Sequence, residues 1–520
     1  MPLNLINDAW IPVRRHGKHC IIRPDQIAED GVTTFDWPRP DLNLACMELL
    51  IGLLYLADPP EDEMSRAARR PDAGRLQQHL APFAPAFELT GEGPKFMQDL
   101  SPLDGNPNPV DMLFIDSAGG QTIRNNGDLM VHRNRYPALS LPLAAMALYT
   151  LQSFAPSGGK GNRTSMRGGG PLLTLARPAT SSKCPLWSLL WANVPACPAN
   201  ERWQPDEVGE ALPWMRPTKT SENGETVTPQ PGNVPHPEVF FGMPRRLQLV
   251  VSTGSCAVTG AKGEVVTGVI QRPYGTNYSG WVHPLSPYYF DNKYQKLPVH
   301  PKPGNFTYPN WRGVVFSTRK FQRAACIANH QHHNPAPARI LAAGWAMDNM
   351  KPLDFIWSET PLFPLSEQAE EDAEEFVTAA EEAAKALTSC LKEALNEPDG
   401  NKGTIARTRE NFFEHTQTGF ETVLQALSRL EGAADRRAAR REIARSWLKT
   451  LRKHALRLFG DLTHDLLLNS DMDKTEIVVN ARKKLNLAFT GHPPFGKKIF
   501  TPLDLPLPAR RKKKEEEPAL

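Results

Sequence analysis

The 520-residue sequence lacks a long hydrophobic run, a pattern of paired cysteines and a large excess of charge of either sign. Its longest apolar stretch, around Leu44 to Ala57, is shorter than the ~18 or more residues expected of a bilayer span and reads as a buried helix. No basic segment followed by an apolar core and a small-residue cleavage site opens the chain. The cytoplasm is therefore the expected location, and no membrane partner is expected. The seven cysteines (Cys20, Cys46, Cys184, Cys197, Cys256, Cys326 and Cys390) are scattered, odd in number and free of any C-x-x-C pair. That argues against a disulfide framework and against a structural zinc site. Lys and Arg number 60 against 57 Asp and Glu. A formal charge of +3 excludes a histone-like polycation but leaves room for local basic surfaces.

Signatures of catalysis are missing too. The chain contains neither G-x-x-x-x-G-K-[ST] nor G-x-G-x-x-G, so nucleotide hydrolysis gains no support. It has no G-x-S-x-G elbow, no H-E-x-x-H and no zinc-deaminase pattern. His330, His332 and His333 lie in NHQHHN and raise the alternative of a metal-dependent hydrolase, but no Cys or carboxylate stands beside them. No catalytic constellation is found, and no metal or cofactor is expected.

What is present is an α+β chain with two compositions. Pro (49) and Gly (36) are abundant and imply many turns and long loops. Residues 1–364 form the expected N-terminal α+β domain, with β-like runs at Leu247 to Ser252 and Gly313 to Ser317. Helices are expected at Leu44 to Ala57, Leu139 to Phe154 and Ala336 to Ala346. After Pro364, Pro and Gly become scarce and Ala, Glu, Leu and Arg take over. Residues 365–500 read as a C-terminal four-helix bundle, with helices at Ser366 to Leu395, Thr404 to Leu430, Ala434 to Leu468 and from Asp473 to near Gly491. Asp473 and Glu476 have the spacing of a capping box for the last of these. Residues 501–520, which contain RRKKK followed by EEE, read as a charged flexible tail.

The first bundle helix is acidic, with Glu367, Glu370, Glu371, Asp372, Glu374 and Glu375 in its opening turns. The third is basic, carrying Arg436, Arg437, Arg440, Arg441, Arg445, Lys449, Arg452, Lys453 and Arg457. Two readings stay open: a solvated face or pairing with the acidic helix on one side, and a ridge that tracks phosphates on the other. The densest glycine cluster, APSGGKGNRTSMRGGGP at Ala155 to Pro171, interleaves Lys160, Arg163 and Arg167. Such a loop lets backbone N–H groups approach a phosphate or a groove wall, because no Cβ intervenes. GWAMDNMK at Gly344 to Lys351 adds hydrogen-bonding groups and a soft apolar side chain; on its own it reads as a helix end.

Taken in order, LNLINDAWIPV, FMQDL (Phe96 to Leu100), the glycine cluster, FFGMPRRLQLV (Phe240 to Val250), YSGWVHPLSPYY (Tyr278 to Tyr289) and GWAMDNMK resemble the large subunit of the type I-E CRISPR surveillance complex Cascade, the CasA family. The resemblance spans nearly the whole chain. It implies a non-catalytic subunit that recognises the protospacer-adjacent motif of target double-stranded DNA from the minor groove and wedges the strands apart to start R-loop formation. It also implies recruitment of the CRISPR helicase-nuclease. By position, the DNA-binding glycine-rich loop is Gly158, Gly159, Lys160, Gly161, Asn162 and Arg163, the minor-groove lysine is Lys293, and the wedge is Asp348, Asn349 and Met350. The loop containing Asn125, Asn126, Asp128, His132, Arg133 and Arg135 corresponds to the one that meets the crRNA 5′ handle and adjacent backbone subunits, and the other Cascade backbone and small subunits are implied partners of the chain. Some members carry a four-cysteine zinc site where this chain has only Cys256, and some have glutamine at the centre of the wedge where it has Asn349. An architectural protein-binding scaffold without direct DNA readout is the further alternative.

Overall fold

The computed structural model describes residues 2–128, 132–159, 161–179, 182–334, 336–395, 402–469 and 472–508. It divides into two compact units, residues 1–303 with 320–362, and residues 304–319 with 363–520.

The first unit is mixed α and β. Strands β1 (Ile11–Arg15), β2 (Lys18–Ile22) and β3 (Val32–Phe35) make a small antiparallel sheet in the order β2-β1-β3. Helix α1 (Pro40–Ala57) begins with Pro in its first turn and Asp41 beside it, which suits the free N–H groups and positive end of a helix start. It is buried around nearly its whole circumference, as is α2 (Leu141–Phe154), against which it packs. An all-round apolar helix is stable only at the centre of a fold, and these two form that centre. Around them, Phe87, Phe96, Tyr149, Trp214 and Phe241 interlock with ring centroids 5.1 to 6.4 Å apart. Each fully buried Phe contributes about 1.5–3 kcal/mol.

Strand β4 (Leu173–Pro178) emerges from the glycine-rich segment, and β5 (Arg246–Ser255) with β6 (Lys262–Arg272) forms a long antiparallel pair. A short hairpin joins β7 (Tyr288–Phe290) to β8 (Lys296–Pro298), and α3 (Ala325–His333) follows. Strands β9 (Ala338–Asp348) and β10 (Lys351–Pro361) then make a hairpin whose first strand also pairs with β4, giving the order β10-β9-β4. The helix expected over Ala336 to Ala346 is therefore a strand. Its unbroken apolar run fits a central strand buried on both faces, a pattern that periodicity does not separate from a buried helix.

The second unit is helical: α4 (Glu367–Leu395), α5 (Lys402–Leu427), α6 (Arg436–Asn469) and α7 (Met472–Ala488). Because α7 starts at Met472, Asp473 sits within its first turn rather than at a cap. The segment 304–319 belongs to this unit, ahead of the change in composition after Pro364. Tyr308 stacks on Phe420 at 4.5 Å, meets Trp447 at 5.8 Å and shares a hydrogen bond with Thr416. Arg312 pairs with Glu374 and Glu381 of the acidic helix. The expected strand at Gly313 to Ser317 is instead a tight turn, with Val314, Val315 and Phe316 fully buried.

Much of the basic helix is neutralised inside the same unit. Arg436 and Arg440 bond to Asp372, and Arg440 also reaches Glu375 and lies over the Phe376 ring. Arg437 and Arg441 hold Asp504, whose carboxyl their hydrogen bonds lower to about 2. Lys449 and Lys453 remain exposed. Leu503 and Leu505 are buried beside Asp504, so residues 501–508 are not part of a free tail. The run Arg510 to Leu520 lies outside the described residues.

Candidate nucleic-acid interface

The glycine cluster splits into two halves with different surroundings. Ser157, Gly158 and Gly159 are exposed, whereas Ser165, Arg167, Gly169 and Gly170 are buried. The exposed half is a tight loop. Asn162 Nδ2 donates to the Gly158 carbonyl at 2.9 Å, its backbone N–H to the Gly159 carbonyl at 3.1 Å, and Gln271 holds its side-chain oxygen at 2.8 Å. Gly159 and Gly161 have φ of 92° and 77°, a region that side-chain-bearing residues avoid. Lys160 lies outside the described residues.

The loop is held from below. Arg163, expected to face DNA, donates its guanidinium to the Ser221 hydroxyl at 2.8 Å and to the Ser221 carbonyl at 3.1 Å. Arg245, from the PRR of FFGMPRRLQLV, donates to the carbonyls of Arg163 and Pro156, one at each end of the loop. Arg167 is not a surface cation. It pairs with Glu48 of α1 at 2.6 Å, with side chains 2% and 1% exposed, and His283 Nε2 approaches the same carboxylate at 3.4 Å. Burial would raise the Glu48 carboxyl, yet Arg167 and His283 hold it below the usual range. Burial, reinforced by Arg167, pushes His283 down to about 4. Its Nδ1 accepts the Leu285 N–H, so the neutral ring carries its proton on Nε2, facing Glu48. This ion pair fastens the base of the glycine segment to the central helix.

The buried half of the segment meets the β9–β10 hairpin. A β-carbon on Gly170 would lie 2.4 Å from the Trp345 carbonyl, and one on Gly169 would lie 2.7 Å from the Met350 sulfur. Only residues without side chains permit this approach. At the hairpin tip, Asn349 and Met350 have φ of 47° and 63°, so both central positions of the turn are left-handed, as in a type I′ hairpin. The second is normally glycine. Met350 there costs about 1 kcal/mol and leaves an apolar side chain 44% exposed at the apex. Asp348 and Asn349 are exposed beside it.

Lys293 stands at another tip, that of the β7–β8 hairpin, where Asp291 caps the turn by accepting the N–H groups of Lys293 and Gln295 at 2.8 Å. The strand leaving this tip continues to Val299, whose carbonyl accepts the Leu172 N–H, and to His300, whose ring meets the Arg167 carbonyl. Lys293 is thus tied through its own hairpin to the glycine segment. The loop around Asn125 to Arg135 is a separate feature. Arg133 is forked by Asp128 and also bonds Asn126, and Arg135 is forked by Asp116 and lies over Tyr136. Both guanidiniums expected to meet phosphates are therefore engaged by carboxylates. His132 is exposed.

His330 is buried on α3, while His332 and His333 meet edge to face at 4.6 Å. Among the described residues, no group of three or more His, Cys, Asp or Glu is placed to share a metal ion. All seven cysteines are free thiols. Sequence reasoning missed Arg245, Glu48 and His283. The signal for Arg245 was present in PRR, a cation with no acidic neighbour in sequence, but its contacts are all long-range.

The sequence matches the family described as CRISPR-associated protein Cse1 over residues 4–458. The fold superposes on the crystal structure of CasA from Thermus thermophilus with a TM-score of 0.67 at 17% identity, covering 96% of this chain and 100% of that one. Against Cse1 from Acidimicrobium ferrooxidans the TM-score is 0.65 at 17% identity, with 97% and 99% covered. A chain of a CRISPR RNA-guided surveillance complex matches with a TM-score of 0.61 at 14% identity, covering 93% of this chain and 99% of that one. The match over residues 4–458 assigns this protein to the Cse1 (CasA) family.

Proposed function

We propose that the chain is the non-catalytic large subunit of a type I-E Cascade complex, working in the cytoplasm with a crRNA, the other Cascade subunits and a helicase-nuclease that it recruits. In this reading it recognises the protospacer-adjacent motif of duplex DNA through the minor groove and opens the strands beside it. The observation that carries the reading is the direct packing of the glycine segment on the hairpin at Gly169 and Gly170. A loop able to approach a groove wall and an exposed apex bearing Asn349 and Met350 are thereby held as one body.

The minor groove offers a degenerate donor and acceptor pattern, so a glycine backbone with Lys293 would accept several related motifs. Inserting the hairpin apex between bases costs on the order of a few kcal/mol per unstacked step, which groove contacts offset. Guide pairing then replaces the duplex energy lost, so the subunit needs only to start the opening. The test is a cryo-EM map of the assembled complex on motif-bearing duplex. Gly158 to Gly161 are expected in the minor groove and Asn349 with Met350 between the strands. These residues facing solvent would overturn the reading.

A further inference from the structure

Arg245 is an unusual buried cation. The residue is 6% exposed, and among the described residues no carboxylate pairs with it. Its Nε donates to the Arg163 carbonyl at 2.7 Å and its Nη2 to the Pro156 carbonyl. Those two bonds close the neck of the loop but leave the charge uncancelled, because carbonyl dipoles are not counterions. Burying an unpaired charge is costly, and proteins retain such groups where something else supplies the opposite charge. Burial alone pushes this guanidinium down to about 10, so it stays charged at neutral pH.

The remaining nitrogen, Nη1, has no hydrogen-bond partner among the described residues. It lies directly beneath Gly158, where an added β-carbon would come within 2.7 Å of it. Gly158 is exposed, and its φ is not left-handed. Glycine is thus required at 158 for space rather than for backbone conformation, and the missing side chain is what uncovers Nη1.

We propose that Arg245 Nη1, reached past Gly158, is a binding point for a phosphodiester of duplex DNA, with the guanidinium fixed by the two loop carbonyls. The loop then has two functions: its glycine backbone approaches the groove, and the cation under it takes one backbone phosphate. This rests on the reading of the loop as a DNA-facing element and adds an anion site that does not depend on base sequence. The planar guanidinium suits the task, since Nε and Nη2 hold its plane while Nη1 projects toward the ligand.

The test is the salt dependence of binding by the full-length chain, alone and in the assembled complex, to duplexes with a randomised motif. Each neutralised phosphate adds about one unit to the slope of log affinity against log salt. Arg245→Gln is expected to lower that slope by about one on every duplex, whatever its motif. Gly158→Ala, which keeps the cation but covers Nη1, is expected to lower it likewise and decides the question if Arg245→Gln does not fold. Unaltered slopes in the folded variants would overturn the proposal, as would a loss confined to a parallel series with guide RNA in place of duplex. If the slope falls while no motif preference exists in the unaltered protein, the anion site stands and the motif-reading role falls. The reverse pattern sinks the anion site alone.

Discussion

The sulfur of Met350 lies 2.7 Å from the point that a β-carbon on Gly169 would occupy. Gly169 has no left-handed φ, so its identity is set by this neighbour and by Pro156, not by backbone conformation. Gly169→Ala should therefore push the hairpin apex away from the glycine segment, at an overpacking cost of about 1–3 kcal/mol. Initial duplex encounter should persist while strand opening declines. Permanganate reactivity of thymines beside the motif is the measurement, and wild-type reactivity in the variant would refute the coupling.

Met350 also carries backbone strain at the position where a type I′ turn favours glycine. Met350→Gly should relieve it and stabilise the protein by about 1 kcal/mol in denaturant unfolding. The same change removes the exposed apolar apex, so R-loop formation by the assembled complex should slow. A variant that is more stable and equally fast at opening would show that the methionine is not the wedge.

His283 sets a pH dependence with a definite sign. Its pKa is about 4 in the folded protein against an ordinary value of 6.5, so the unfolded chain binds more protons between those values. Stability from the neutral ring is complete above about pH 6.5 and is lost as the pH falls toward 4, up to about 3 kcal/mol in all. His283→Gln keeps a donor for Glu48 but does not titrate. The difference between the unfolding free energies of wild type and variant should narrow on acidification across this range; a constant difference would exclude His283 as the titrating group.

Tyr308 makes segment 304–319 part of the helical unit through Phe420, Trp447 and Thr416. Truncation to Ala should cost about 3–5 kcal/mol, as for other buried aromatics. Tyr308→Phe, which loses only the hydroxyl bond, should cost about 1 kcal/mol. Denaturant unfolding followed by far-UV circular dichroism separates the two, and equal costs would mean that ring packing contributes little.

How far the sequence carried the fold depended on whether the deciding interactions were local. The four long helices of the second unit were readable because three-and-four spacing of Ala, Leu and Phe is itself the cause of an amphipathic helix. The central helices α1 and α2 were readable from length and apolarity. The β9 strand was not, because an apolar run buried on both sides has no period, and pairing with β4 and β10 chose its conformation. Segment 304–319 was misplaced for a related reason: its composition resembles the loops before it, while its partners lie far along the chain, at Thr416, Phe420 and Trp447.

At the candidate interface the division is similar. The order of short motifs along the chain was enough to point to a CasA-like protein, and the glycine cluster marked a place of close backbone approach. Which glycines face outward and which admit the hairpin was decided only by packing. So was the fate of the cations. A guanidinium looks the same in sequence whether it is buried on Glu48, bonded to Ser221 or held by backbone carbonyls, as Arg167, Arg163 and Arg245 are. Charge pairing is a property of distances in space, and those distances are set by contacts between residues far apart along the chain.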